Sequence, residues 1–571
     1  MELEVYHGSK QSSIMSANHL DTKAQLDNFE DKTELEHLET DKGSSKDALD
    51  LSIPIADIEP PRLLSKPMVP MLFSCFIVYF VATTCGFDGS LMSSIYTQKD
   101  YLKFYNLDAT SSTSTGLVFS MYNVGQIASA FFCPLMDLYG RKFVIIMGVY
   151  GIVISAVVTA VSKNVPTLIA GRFFLSFFTQ LANTAAANYC TEIAPTRHRS
   201  RVAGFYNCLW YVGSIIAAFT AYGSERSFSG SNKAFRIPLW LQCACPGIVC
   251  IFGWLIPESP RWLVGKGRIE DARKMIAKYH CNGNTNDPLV EFEVAEIAEI
   301  AKYHCNGNTN DPLVEFEVAE IAETFATVSL ESTWKVLDPR PMLRKRSDRY
   351  RAMLVVIMAF YGQFSGNNVC SYYLPTMLTN VGMTSQTTNV LMNACYSITS
   401  WISSLCGAYV HEIVGRRKMF MASSFGAALC LSGLTIATAR YDVTAAKSAS
   451  NAALAFIYLF GITFSFAFTP MQPIYPSEVS SNVLRSRNMI LLNLTSGVAQ
   501  FINQFAAPEA MKNIGFWFYV FYVFWDLSEV VVIYFYFVET KGRSLEELDE
   551  IFEAPNPRKA SVAPRRDNEK V

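Results

Sequence analysis

The sequence predicts an all-α membrane protein: twelve transmembrane helices forming two six-helix halves related by pseudo-symmetry. Three observations carry that expectation. The 571 residues contain about twelve apolar runs of about 20 residues, each long enough to cross a hydrocarbon core as a helix. A long charged stretch divides the runs six and six. Short motifs in the loops of the first half recur in the matching loops of the second.

The runs lie near 71–91, 114–136, 143–162, 167–190, 202–222 and 237–256, and then near 352–374, 387–410, 419–438, 452–475, 488–507 and 515–537. They are spans 1 to 12. Half of the chain is apolar, 17% is charged, and Lys plus Arg minus Asp plus Glu is 48 − 50 = −2. That balance excludes a disordered chain and a nucleic-acid binder driven by net charge. Twelve such runs in sequence also disfavour a soluble helical protein.

The expected organisation is a disordered cytoplasmic tail (1–66), an N-terminal half (67–256), a cytoplasmic loop (257–351), a C-terminal half (352–538) and a cytoplasmic tail (539–571). No signal peptide precedes the first span. The central loop, rich in basic residues such as Arg344, Lys345 and Arg346, decides the orientation and puts both termini in the cytoplasm. Within that loop, residues 276–299 are repeated without a difference at 300–323. Two copies are too few for a solenoid, and a surface insertion of this kind is expected to be tolerated. The fourteen Cys lie mostly inside spans, as small packing residues, with no metal-site spacing.

The loop after span 2 carries Asp137, Gly140 and Arg141; the loop after span 8 carries Glu412, Gly415 and Arg416. Glu192 after span 4 is followed seven residues later by Arg199, as Glu478 after span 10 is by Arg485. Acids and arginines at helix ends can pair into a breakable cytoplasmic gate, because ion pairs at a membrane edge stabilise only modestly.

These features resemble the sugar porter branch of the major facilitator superfamily. The stretches that carry the resemblance are Gly86-Phe87-Asp88-Gly89, Gly171-Arg172, Pro257-Glu258-Ser259-Pro260-Arg261, Gln363-Phe364-Ser365-Gly366-Asn367-Asn368 and Glu539-Thr540-Lys541-Gly542-Arg543. The resemblance covers about 65–555. It implies a monomeric plasma-membrane importer, driven by the proton gradient with no cofactor. Its partners would be a proton, the bilayer and a sugar. A galactoside such as the disaccharide lactose is expected, with cellobiose, galactose or a hexose as alternatives. A non-transporting sugar sensor on the same fold is the other reading. The chain departs from the family pattern at Gly362, where a second Gln is usual, and at Pro473, where many hexose porters carry Trp. Both departures suggest a roomier site.

Asp88 lies in span 1, where a carboxylate is costly unless it is paired or protonated. Arg172 in span 4 is its expected partner, and the two form the expected proton-coupling pair. Sugar recognition needs neutral donors and acceptors with aromatic faces beside them. Gln363, Asn367, Asn368, Tyr372, Tyr373, Asn393 and Asn207 are the candidates, with Thr469, Gln472 and Gln500 behind them. Gln363 and Asn367, four apart, are expected to share a helix face. Asp526 and Glu529, three apart in span 12, have no assigned role. No nucleophile–base pair, metal spacing or phosphate loop points to an enzyme.

Overall fold

A computed structural model describes residues 66–562 except 97, 107–111, 196–197, 282, 284, 286–289, 291–292, 295–336, 384, 482–483 and 544. The N-terminal tail expected over 1–66 and the second copy of the repeat (300–323) therefore lie almost wholly outside the described residues.

Each expected span is helical. Spans 1 to 6 are Val69–Ile95, Ser112–Ala130 continued by Leu135–Tyr139, Arg141–Val161, Val165–Ile193, Arg199–Cys208 with Trp210–Phe228, and Lys233–Leu241 with Ala244–Phe252. Spans 7 to 12 are Arg346–Phe364 continued by Asn367–Tyr372 and Leu374–Asn380, then Gln386–Val414, Arg416–Thr444, Lys447–Val479, Arg485–Ile514 and Trp517–Tyr536. Short helices follow span 6 (Pro260–Gly265, Ile269–His280) and span 12 (Leu545–Glu553, Pro557–Val562).

Among the described residues, eight helices are long and apolar enough to cross a membrane on length and composition alone. Spans 2, 7, 8 and 11 fall short of that measure because they carry more polar residues. The packing explains why. Span 2 lies along span 11, and span 5 along span 8. Polar side chains bond across these seams: Asn123 Nδ2 donates to Gln504 Oε1 at 3.0 Å, and the Ser214 and Ser397 hydroxyls meet at 2.8 Å. A face that meets the other half has no need to match lipid. Lipid-type faces lie on the periphery, where Phe76, Ile154, Ile436 and Phe524 stand exposed. Each half has its own large apolar cluster, Val78, Val149 and Tyr189 belonging to one, Phe420, Phe468 and Tyr475 to the other.

Three irregularities shape the interior. Span 7 is broken at Gly366, whose φ of 81° is a left-handed conformation that glycine adopts without Cβ strain. Span 6 is interrupted between Leu241 and Ala244; the ring of Pro246 clashes with the carbonyl four residues earlier, that of Gln242. Span 10 stays helical through Pro470, Pro473 and Pro476. Pro473 cannot bond the Thr469 carbonyl, and Asn207 Nδ2 of span 5 donates to that oxygen instead.

The first copy of the repeat docks on the N-terminal half. His280 places Nε2 at 2.9 Å from the Ile193 carbonyl at the end of span 4 and Nδ1 at 2.6 Å from Glu293. Val290 and Val294 close over Leu263, Ala272 and Ile276. The repeat alone does not set this register. Ala272, fully buried, precedes the first copy, whereas the matching position before the second copy is Glu296.

Candidate functional site

Asp88 has no exposure at all, and Arg172 is 2% exposed. A carboxylate there needs hydrogen bonds, because the hydrocarbon core supplies none. Thr179 Oγ1 of span 4 donates to Asp88 Oδ2 at 3.0 Å, and Gln242 Nε2, at the break of span 6, donates to Oδ1 at 2.5 Å. Arg172 is close enough to act on Asp88 electrostatically. Its guanidinium carbon lies 4.9 Å above the centroid of the Tyr122 ring, a cation–π placement. Asp88 thus ties spans 1, 4 and 6 together. Gln242 and Thr179 are the members that sequence reasoning missed.

Between the halves lies a cavity of about 120 Å³. Asn207, Trp210 and Tyr211 of span 5 line it, with Gly362, Gln363, Asn367, Asn368 and Ser371 of the broken span 7. Phe464, Thr469 and Gln472 of span 10 and Gln500 of span 11 complete the wall. The sequence candidates Gln363, Asn367, Asn368 and Asn207 therefore converge, joined by Thr469, Gln472 and Gln500. Gln363 and Asn367 do not share a helix face, however. The break at Gly366 separates them, and Asn368 Nδ2 turns back to the Gln363 carbonyl at 3.1 Å and its Oε1 at 3.2 Å. Asn503 Nδ2 also donates to the Gln363 carbonyl, at 2.8 Å, and is held by Tyr522 at 2.6 Å. Gly362 leaves room for Gln472: a Cβ there would stand 2.8 Å from Gln472 Nε2.

Two candidates lie elsewhere. Tyr373 is not in the cavity wall; its hydroxyl donates to the Gln504 carbonyl at 2.8 Å. Asn393 donates to Ser93 and Ser94 of span 1 at 3.5 and 3.4 Å, a helix-to-helix link. The Tyr372 side chain lies outside the described residues. Trp210, Tyr211 and Phe464 supply the aromatic surface instead. A sugar needs such a wall: amide donors and acceptors for its hydroxyls, rings for its C–H face.

At the arginine-rich end the two halves repeat one arrangement. Gly140 (φ 97°) and Gly415 (φ 101°) turn the chain into spans 3 and 9. Glu258 accepts from the backbone N–H of Arg141 at 3.0 Å and of Lys142 at 3.1 Å. Glu539 does the same for Arg416 at 2.9 Å and Arg417 at 3.2 Å. Anions suit these helix N-termini. Arg141 grips Glu192 (Nε–Oε2 2.9 Å, Nη2–Oε1 3.1 Å) and also meets Asp137 at 3.1 Å. Arg416 grips Glu478 through Nη2 at 2.8 Å and Nε at 3.2 Å. Ser259 donates to Glu192, and Thr540 donates to Glu478 at 2.6 Å.

The expected gate is therefore assembled differently from the sequence reading. The Arg141–Glu192 and Arg416–Glu478 pairs lie within a half. Glu412 bonds Arg201, not an arginine of its own half, with Nη2 and Nε both at 3.0 Å, and this pair crosses the seam. Arg485 also lies across the seam, lining a small cavity with Arg141 and Glu192 of the other half.

Asp526 and Glu529 have no exposure. Ser424 of span 9 donates to Glu529 Oε2 at 3.1 Å, and no ion pair to either acid occurs among the described residues.

Residues 74–552 match the family described as sugar (and other) transporter. The chain belongs to that family. It is accordingly a multi-pass membrane transporter, not an enzyme, and transport needs no cofactor. A high-affinity glucose transporter of Kluyveromyces lactis is 25% identical over 505 residues, covering 85% of this transporter and 86% of that protein. A quinate permease of Neurospora terricola is 25% identical over 496 residues, with 84% and 88% covered. Among solved structures, the proton:xylose symporter XylE bound to 6-bromo-6-deoxy-D-glucose superposes with a TM-score of 0.68 at 19% identity. The match covers 84% of this transporter and 99% of that chain and gives it the major facilitator fold.

Proposed function

We propose that this transporter imports a sugar together with a proton, by alternating access of the cavity between its halves. The observation that carries the reading is Asp88, a fully buried acid in span 1 hydrogen-bonded to spans 4 and 6. Such an acid can hold a proton in one conformation and release it in another, because burial opposes its charge while Arg172, Thr179 and Gln242 favour it. Helix packing around Asp88 and proton occupancy are then linked, and so are proton and sugar. Orientation follows the basic loops, with both termini cytoplasmic and the protein in the plasma membrane. The collars of Glu192, Arg141, Glu478 and Arg416 stiffen each half, and Arg201–Glu412 is the contact that opens.

For the substrate we infer a galactoside, lactose first. Residues 86–97, 362–378 and 552–561 resemble a yeast lactose permease in wording, and Gly362 admits the Gln472 amide to the cavity wall. A hexose is the second reading, favoured by the size of the cavity. About 120 Å³ is small beside the ~300–1,000 Å³ of sites for larger ligands. A glucose transporter among the relatives points the same way.

The test is uptake of labelled lactose in cells lacking their own permease, with competing sugars and with a protonophore. Uphill lactose accumulation abolished by the protonophore is expected. Accumulation of glucose alone would replace the galactoside by the hexose, and accumulation indifferent to the protonophore would remove the symport reading.

A further inference from the structure

The break in span 6 turns Gln242 into the N-terminal half, where its side chain is 2% exposed. Its amide nitrogen and the Thr179 hydroxyl both donate to Asp88, an arrangement suited to the ionised carboxylate. A protonated Asp88 has a different need. One of its oxygens becomes a donor and requires an acceptor. Gln242 Oε1 is buried and makes no hydrogen bond among the described residues. Donor and acceptor of an amide exchange places by a half-turn about the last side-chain torsion, which is soft and two-fold. The backbone need not move.

We propose that Gln242 is a positioning residue of the proton site, its amide presenting N–H to the ionised Asp88 and turning to present C=O when Asp88 is protonated. The proton stays on Asp88 throughout, and no bond to the amide is made or broken. The inference rests on the reading of Asp88 as the proton carrier. Its consequence is that the tip of a broken helix registers whether a proton is bound. The titratable groups facing Asp88 are Arg172 of span 4, Cys85 of span 1, and Cys243 and Cys245 of span 6, while Tyr122 of span 2 lies under the Arg172 guanidinium. Of these only Arg172 is a cation, so the amide is the partner able to serve both charge states from span 6.

The experiment is the pH profile of uphill sugar uptake in whole cells, alongside sugar exchange at equal concentrations, for wild type, Gln242→Leu, Gln242→Glu and Asp88→Asn, each scaled to surface expression. Gln242→Leu keeps the shape but removes donor and acceptor. The carboxylate then loses a charge-assisted bond, and the alkaline limb of uptake moves up by about one pH unit, a ten-fold change in proton affinity. Gln242→Glu can both donate and accept when protonated, so its exchange at acid pH exceeds that of Gln242→Leu, and its alkaline limb is also displaced upward. A purely structural role instead lowers uptake and exchange by one factor at every pH, and that result overturns the proposal. So does a Gln242→Leu profile that superposes on wild type; should that variant miss the surface, a Gln242→Glu profile identical to wild type overturns it equally. Asp88→Asn separates the two levels. Uphill uptake surviving in Asp88→Asn removes the proton-carrier reading and this inference with it. Its loss, together with unchanged Gln242 profiles, removes only this inference.

Discussion

Replacing Gly86 by Ala puts a methyl group where spans 1 and 5 touch. A Cβ at Gly86 would lie 1.8 Å from the Trp210 carbonyl oxygen, and one at Gly213 would lie 1.9 Å from the Thr83 carbonyl, so the contact is reciprocal. Contacts of this type are not found below 3.0 Å, so the backbones must part by at least 3.0 − 1.8 = 1.2 Å. Overpacking on this scale costs about 1–3 kcal/mol. The functional cost is larger. Asp88 lies two residues on, with hydrogen bonds of 2.5 and 3.0 Å, and Trp210 lines the cavity. A shift of 1.2 Å would break one bond or the other. The expected outcome for Gly86→Ala is a lower melting temperature in detergent and uphill uptake reduced at least ten-fold per molecule at the surface. Gly223→Ala, on the partner helix span 5, is the control, since among the described residues nothing lies within 4 Å of a Cβ there, and it should behave as wild type. Wild-type stability and uptake in Gly86→Ala would refute the reasoning.

Three further outcomes follow from the arginine-rich end and the central loop. Glu478→Gln and Glu192→Gln each leave a well-buried guanidinium with a weakened partner; discounted for partial exposure, each should cost about 2–3 kcal/mol in thermal or denaturant unfolding, and the matching geometry predicts similar losses. Burial pushes the Glu258 carboxyl up despite the bonds from Ser259, Lys142 and Arg141, so the folded state holds that proton more tightly than the unfolded chain. Its contribution is full below the ordinary 4.5 and is lost as pH rises through the raised value. Melting curves of wild type and Glu258→Gln across pH should therefore show wild type losing ground to the variant on the alkaline side, and parallel curves would contradict this. Deleting 300–323 should leave uptake unchanged: it yields the same sequence as deleting 276–299, and it keeps Ala272 before the docked copy.

The spans were legible because lipid forces every crossing to be a long apolar helix, and the pairing of halves was legible because Asp137, Glu192, Glu412 and Glu478 recur at matching loops. The partners of those residues were not. Glu258 and Glu539 stand in recognisable stretches, yet nothing local says that their carboxylates cap spans 3 and 9, 117 and 123 residues away. The Gln363–Asn367 helix face failed because a glycine between them takes a left-handed turn. Gln242 was hidden for a similar reason: it meets Asp88 over 154 residues, and its only sequence signal is a polar residue four before Pro246 in an apolar run. Pro473 looked like a change in the sugar pocket, whereas its structural effect is to free the Thr469 carbonyl for Asn207.

The most direct measurement records the pH of a weakly buffered suspension of cells as sugar is added, comparing wild type with Asp88→Asn at equal surface expression. Wild-type cells should alkalinise the medium as sugar enters, and the variant should not, though it exchanges labelled sugar. Equal alkalinisation in both would mean that the proton travels by some route other than Asp88.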